Sequence, residues 1–356
     1  MSIAPSLPLS AAFECNQYGI DELFAKYAEV GFLYPEKMEL LRPHLGQIKH
    51  NWRQLLSGDS LQWVLTNRTA ANFASIAVCR HANRSMIAQH LVSDGNPHLS
   101  LELMAEAQRL FASFQGADGV DAAQNWFRPN NRYAYRIFAS MIGKLGPEKA
   151  SLLTFEYLQH DLSVIPTDRT PHFRAKEVRA TDNELSLFVG EQLNKVFCRG
   201  EELTGTDDVT LERLGDRYHA LGLRKGRRIV KLVDPADGRI VACVIANRAP
   251  LGQNFSFLEN RAYCVVDRGL GALVRRRVVS ELGEAVRGFY ADFALEAIPI
   301  VTDRLTADTL EQAGARHLRT YMQSIWLRAG FEEWGGAYRG LSGADQRAGP
   351  RVRKRG

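Results

Sequence analysis

Cysteine is scarce and poorly placed for chemistry. The chain has five (Cys15, Cys79, Cys198, Cys243, Cys264) in 356 residues, an odd number without Cys-x-x-Cys spacing or neighbouring His pairs. That excludes a disulfide scaffold, offers no zinc-ligand pattern and points to a reducing compartment, so the cytoplasm is expected and a metal site is not. Long apolar runs are also missing. The longest, such as residues 293–301 even counted across Glu296, fall far short of the roughly 20 residues a membrane-spanning helix needs. Residues 1–13 lack the basic start of a secretory signal. Nor does one charge dominate. The net charge of +5 resides in the last ten residues, where Arg347, Arg351, Arg353, Lys354 and Arg355 meet no acid; the rest carries 40 groups of each sign. A nucleic-acid-binding surface over the body is therefore not expected. The basic tail reads as a solvated, disordered end, with contact to a polyanion or membrane surface as its rival reading.

What is present is ordinary globular material. Apolar residues make up 45% and charged residues 24%, and the length suits two domains of about 150–200 residues. A similar series of elements reads twice. In the first half, residues 20–30 and 35–56 predict helices, and 62–66, 73–79 and 86–92 predict strands. Helix 99–114, strand 122–127, helix 131–145 and strand 152–158 follow. In the second half, residues 183–197 and 210–221 predict helices. Residues 228–233 and 239–246 flank Asp234-Pro-Ala-Asp-Gly238, a hairpin signal. Strand 255–266, helix 272–290, strand 295–301, helix 315–329 and a last strand at 331–338 complete the series. Residues 161–172, with Pro166 and Pro171, read as the linker.

The segment Asp267-Arg-Gly-Leu-Gly271-Ala-Leu273 ends a strand and opens a helix. Glycines allow close backbone approach, and the first helical N–H groups lack intrahelical partners, so the place suits a pyrophosphate. Arg268, Arg275, Arg276 and Arg277 are near enough in sequence to add phosphate contacts. The rival reading is a tight turn followed by an exposed basic face.

This order of elements, and the loop, resemble the Gcn5-related N-acetyltransferase (GNAT) superfamily, whose loop after the fourth strand reads Arg/Gln-x-x-Gly-x-Gly/Ala. Arg268 and Gly271 match it and Leu273 departs. Residues 233–243 resemble the hairpin that joins the family's second and third strands, and Trp326-Leu-Arg-Ala-Gly-Phe331 its closing Tyr-x-x-x-Gly-Phe segment. Motifs cover residues 176–340. Element order covers 15–160, where residues 93–97 replace the phosphate loop and Asn131-Arg-Tyr-Ala134 echoes a helix start. The resemblance implies an α+β fold of two GNAT-like domains, each a mixed central sheet flanked by helices. A degenerate domain would span 1–165, an acyl-CoA-binding domain 173–340 and the tail 341–356. It implies an N-acyltransferase moving an acyl group from acyl-CoA, as cosubstrate, or from an acyl carrier protein to a small-molecule or peptide amine. Val265, Val266, Arg268, Gly269, Gly271 and Ala272 would hold the donor. Glu259, on the expected strand 255–266, would be the base. The family's proton-donating Tyr position holds Trp326, which leaves Tyr321, on the expected helix 315–329, as the substitute. The alternative is a non-catalytic acyl-thioester-binding or protein-interaction module on the same fold.

Other residues read more plainly. His81, His90 and His98 lack metal-ligand spacing and are expected to be satisfied or solvated, and Cys264, which lacks a partner His, to be a buried structural thiol. Trp126-Phe-Arg-Pro129 with Tyr133 and Tyr135 reads as core and helix cap, or as the wall of an acceptor or acyl-chain channel between the domains.

Overall fold

The computed structural model describes residue 9 and residues 12–58, 61–67, 72–163, 171–203, 209–292 and 295–334. In chain order the first half runs β1 (Phe13–Cys15), α1 (Ile20–Glu29), α2 (Pro35–Leu41), α3 (Leu45–Ser57), β2 (Gln62–Asn67), β3 (Ala74–Arg80) and β4 (Ser85–Ser93). It continues with α4 (Pro97–Ser113), β5 (Ala122–Phe127), α5 (Arg132–Leu145) and β6 (Ala150–Asp161). The second half repeats the order. It has β7 (Arg174–Val178), α6 (Asn183–Gln192), α7 (Lys195–Gly200), α8 (Val209–Ala220), β8 (Gly226–Val233), β9 (Ile240–Arg248) and β10 (Ala262–Val266). Then come α9 (Ala272–Tyr290), β11 (Ala297–Thr302), α10 (Arg304–Gln312) and β12 (Arg316–Leu327). The fold is α+β and tandem, as expected. Part of the expected linker, residues 164–170, and the basic tail lie outside the described residues.

Among the described residues, the twelve strands form one mixed sheet in the order β1-β2-β3-β4-β5-β12-β6-β11-β10-β9-β8-β7. The halves exchange their last strands. β6 pairs antiparallel with β11 of the second half, and β12 lies between β5 and β6, antiparallel to both. Side chains alternate across the sheet. In β6, Ala150 and Leu158 face the helices α4, α5 and α9, while Phe155 and Tyr157 face the opposite layer with α6 and α7. α1 and α3 cover that opposite face of the first half, around Trp52, Val64, Ala77 and Phe255. Side-chain caps start several helices: Asn131 accepts from the Ala134 N–H and Asp303 from the Thr306 N–H, each contributing about 1 kcal/mol.

The hairpin stands as expected. β8 and β9 pair antiparallel, the Asp234 N–H donates to the Arg239 carbonyl at 2.9 Å, and Gly238 takes φ +77°. Three expectations are corrected. Residues 316–327 form the strand β12 rather than a helix; because both sheet faces are covered there, its apolar residues occur on both parities and no two-residue alternation marks it. Residues 328–334 are helical, so 331–334 are helix where a strand was expected over 331–338, and the rest of that expected strand lies outside the described residues. The strand expected over 255–266 is confined to β10. Phe257 adopts the left-handed region (φ +55°) and Leu258–Asn260 forms a 3-10 turn, which puts Glu259 on the turn before the strand.

Candidate functional site

β4 and β5 lie parallel and pair at Ser85–Ala122, Met86–Ala123 and Ile87–Gln124, after which no pairing continues. On its other side β4 carries an extra residue against β3. Gln89 pairs with Ala77 and Val92 with Ser75, and His90 between them has φ +52°. A bulge of this kind bends its strand, here at the place where β4 parts from β5. The gap opens into a cavity of about 670 Å³, the size of a site for a cofactor or drug-sized ligand. Met104, Phe111 and Phe138 line it from the α4 and α5 side of the sheet; Phe255, Leu258 and Tyr321 line it from the other. The cavity therefore passes through the sheet. Trp126, Phe127, Arg128 and Tyr133 line the cavity, and Asn131 caps α5 behind them. The indole N–H groups of Trp126 and Trp326 and the Gln108 Oε1, all in this wall, have no hydrogen-bond partner among the described residues.

A second space of about 10 Å³ adjoins the first and shares Ile87, Gln89, Trp126, Asn254 and Leu258 with it. It has room for about one water molecule. Glu259, Lys225 and Arg261 face it. Glu259 is buried; its Oε1 accepts from Asn260 at 3.2 Å and its Oε2 has no partner among the described residues. Burial pushes the Glu259 carboxyl up to about 8, and burial brings the Lys225 ammonium down to about 8. Tyr321 stands on β12 in the wall of the larger cavity, edge-on to Trp126 and Tyr157 at 6.2 and 5.7 Å between ring centres. Glu259 and Tyr321, far apart in sequence, thus belong to adjoining spaces.

The second-half loop is arranged differently. The Arg268 N–H donates to Gln192 Oε1, the Gly269 N–H to Asp267 Oδ1 and the Leu270 N–H to the Asp267 carbonyl. These amides are already satisfied, one of them by a carboxylate that would repel a phosphate. Arg275, expected to reach a phosphate, is buried instead and donates to the carbonyls of Asp267, Arg268 and Leu270 from within. Arg276 donates to Gln312. Gly271 caps α9, which begins at Ala272, and Leu273 is exposed. β10 also parts from β11, pairing only at Ala262 and Tyr263, but its register with β9 has no bulge. The Asp267 N–H donates to Val241 of the β9 side. By alternation Val265 turns its amide to β9 as well, and Val266 turns its own toward the gap.

Of the remaining candidates His81, His90 and Cys264 are buried and His98 is exposed. His90 stacks on Phe255 at 4.2 Å, and its Nε2 accepts the Phe255 N–H. His81 Nε2 meets Glu201 Oε2 at 2.8 Å. His98 lies in the first turn of α4. Burial pushes the Cys264 thiol up to about 12, which removes it as a nucleophile. Among the described residues no helix is long and apolar enough to cross a membrane.

Two consecutive units of one element order share a mixed sheet, with a gap beside the bulged fourth strand of the first unit, an arrangement that resembles two GNAT-like units in tandem. No protein-family model and no curated protein matches the sequence. Among solved structures the chain is similar to a GCN5-related N-acetyltransferase from Sphaerobacter thermophilus, at 12% identity over 90% of this chain and 97% of that one, with a TM-score of 0.43. It is also similar to a tandem GNAT protein from the clavulanic acid biosynthesis pathway, at 12% identity over 89% and 98%, with a TM-score of 0.39. A third is Saccharomyces cerevisiae N-myristoyltransferase with bound myristoyl-CoA, at 11% identity over 90% and 79%, with a TM-score of 0.38.

Proposed function

We propose that the protein is an N-acyltransferase whose reaction takes place in the first-half cavity, with acyl-CoA or an acyl carrier protein as donor and an amine as acceptor. The observation that carries this reading is the cavity between β4 and β5, opened by the bulge at His90 and continued to Glu259. A thioester arm fits a narrow passage between strands, and its acyl group fits the apolar wall of Met104, Phe111 and Phe138. Acyl transfer to an amine depends chiefly on positioning and on one base. Glu259, raised by burial to about 8 and facing the small space that adjoins the cavity, supplies that base. Tyr321 gives the leaving thiolate its proton from the cavity wall. The donor is thus assigned to the first half, in place of the 268–272 loop.

Titration calorimetry with acyl-CoA of several chain lengths, followed by a thiol-release assay against amines, tests the reading. Binding with acceptor-dependent thiol release is expected. Binding without release for any amine would favour the non-catalytic thioester-binding module, and no binding would remove both.

A further inference from the structure

Three cations gather at the edge of the cavity on the α1–α2 side. Tyr34 caps α2, Lys37 lies one turn into it, Arg128 follows β5 and Arg319 stands on β12. Arg128 and Arg319 both donate to the Tyr34 hydroxyl, and Arg319 also donates to Tyr321. The Lys37 ammonium sits 3.6 Å from the centre of the Phe32 ring and 5.0 Å from that of Tyr34. Tyr34, Lys37, Arg128 and Tyr321 line the cavity. Among the described residues none of the three cations is hydrogen-bonded or ion-paired to a carboxylate. Two other buried cations of this protein, Lys231 and Arg261, do have one. Lys231 meets Asp182 and Glu184 at 2.8 Å each, and Arg261 meets Glu201 at 3.0 Å. Burial, followed by the charges of Arg128 and Arg319, lowers the Lys37 ammonium to about 8. Like charges held together out of water are destabilising until an anion joins them.

Resting on the acyltransfer reading above, we propose that the acceptor amine carries a carboxylate, which Lys37, Arg128 and Arg319 bind at the cavity edge. The acceptor would then be an amino acid or a similar amino-carboxylate. The side of approach favours acceptor over donor. Phe255 and Phe257, on the segment leading to Glu259, pack with α1 and α3, and Leu258 packs with Tyr321. The cationic group and the base therefore share one face of the sheet, and the molecule that gives its proton to Glu259 arrives on that face. In the reaction the amine nitrogen bonds to the thioester carbonyl carbon and the carbon–sulfur bond breaks. The amine's proton passes to Glu259, and the thiolate takes a proton from Tyr321 to leave as thiol. Glu259 returns its proton to the tyrosinate, so the products are an amide and a free thiol.

The test is thiol release with α-amino acids, each compared with its own carboxamide, in the wild type, Lys37→Gln and Arg319→Gln. Charge-assisted hydrogen bonds predict a preference for the acid of about tenfold or more in kcat/KM. In each variant that ratio falls toward one while KM for acyl-CoA stays. Melting curves identify a variant that misfolds, and the other then carries the test. Equal use of acid and amide by the wild type, or an unchanged ratio in folded variants, overturns the proposal and leaves the acyltransfer reading standing. A raised KM for acyl-CoA with no change for acyl-pantetheine, which lacks the phosphates, assigns the cations to the donor and also overturns it. Absence of thiol release from every pair removes the acyltransfer reading, and this proposal with it.

Discussion

Glu201 of the second half accepts from His81 of the first at 2.8 Å, inside a site where both side chains are closed to solvent. Arg261 at 3.0 Å, Arg227 at 3.2 Å and the Tyr263 hydroxyl at 3.0 Å also donate to the carboxylate. Burial takes His81 down to about 3, so a neutral imidazole donates to an ionised Glu201. Glu201→Leu would leave two buried guanidinium groups without their anion. It is expected to lower unfolding stability by about 3–5 kcal/mol, read from urea midpoints. Unaltered stability would mean that the network contributes little to joining the halves.

Acid should weaken the fold through the same histidine. His81 has a lowered folded pKa, so the unfolded chain takes up the proton first as pH falls. Stability is fully present above the ordinary value of 6.5 and declines from there toward about 3. His90, lowered in the same direction by burial, adds to the decline. His81→Gln should flatten part of this slope in melts between those limits.

Glu259 works in the opposite sense. Its folded pKa is raised from 4.5 to about 8, so the folded state holds the proton more tightly and stability falls as pH rises across that window. Glu259→Gln should therefore gain melting temperature relative to wild type as pH is raised through it. In turnover, kcat/KM of the wild type should climb with pH to a plateau above about 8. The variant should lose about 100-fold or more at the plateau. A variant with wild-type turnover at every pH would remove Glu259 as the base.

The two halves can be separated as donor sites. Ala107 is buried and lines the first-half cavity. Ala107→Phe should fill that void, keep the melting temperature and weaken long-chain acyl-CoA by about tenfold, the equivalent of two displaced methylenes. Gly271→Glu meets nothing within 4 Å of its new Cβ, and should leave acyl-CoA affinity within about twofold. The reverse pattern in calorimetry would move the donor to the second-half loop.

Local signals were legible in the sequence and long-range ones were not. Asp234-Pro-Ala-Asp-Gly238 fixes its hairpin through its own dihedral preferences, and Asn131 announces α5 by capping it. Tyr321, Ile325 and Trp326 fit a helical spacing equally well, and only the coverage of both sheet faces makes their segment a strand. The cavity is less local still. Phe255 and Leu258 reach it from a stretch more than 160 residues beyond His90, and no pattern within either segment reports the meeting. The 268–272 loop shows the converse. Its glycines and arginines have the composition of an anion site, yet Gln192 and Asp267 occupy the amides of residues 268–270 and Arg275 turns inward to the loop's carbonyls.

The position of β12 has a consequence for the order in which the protein is made. Residues 316–327 are among the last of the described chain to be synthesised, yet they fill the gap between β5, which ends at residue 127, and β6, which ends at residue 161. Until then a nascent chain presents two unpaired strand edges, each a template for a foreign strand. Contacts of such sequence separation form late and slowly. Wall residues Tyr321 and Trp326 arrive with β12, so the cavity closes in the same event that seals the sheet, and a chain interrupted before residue 316 would have neither.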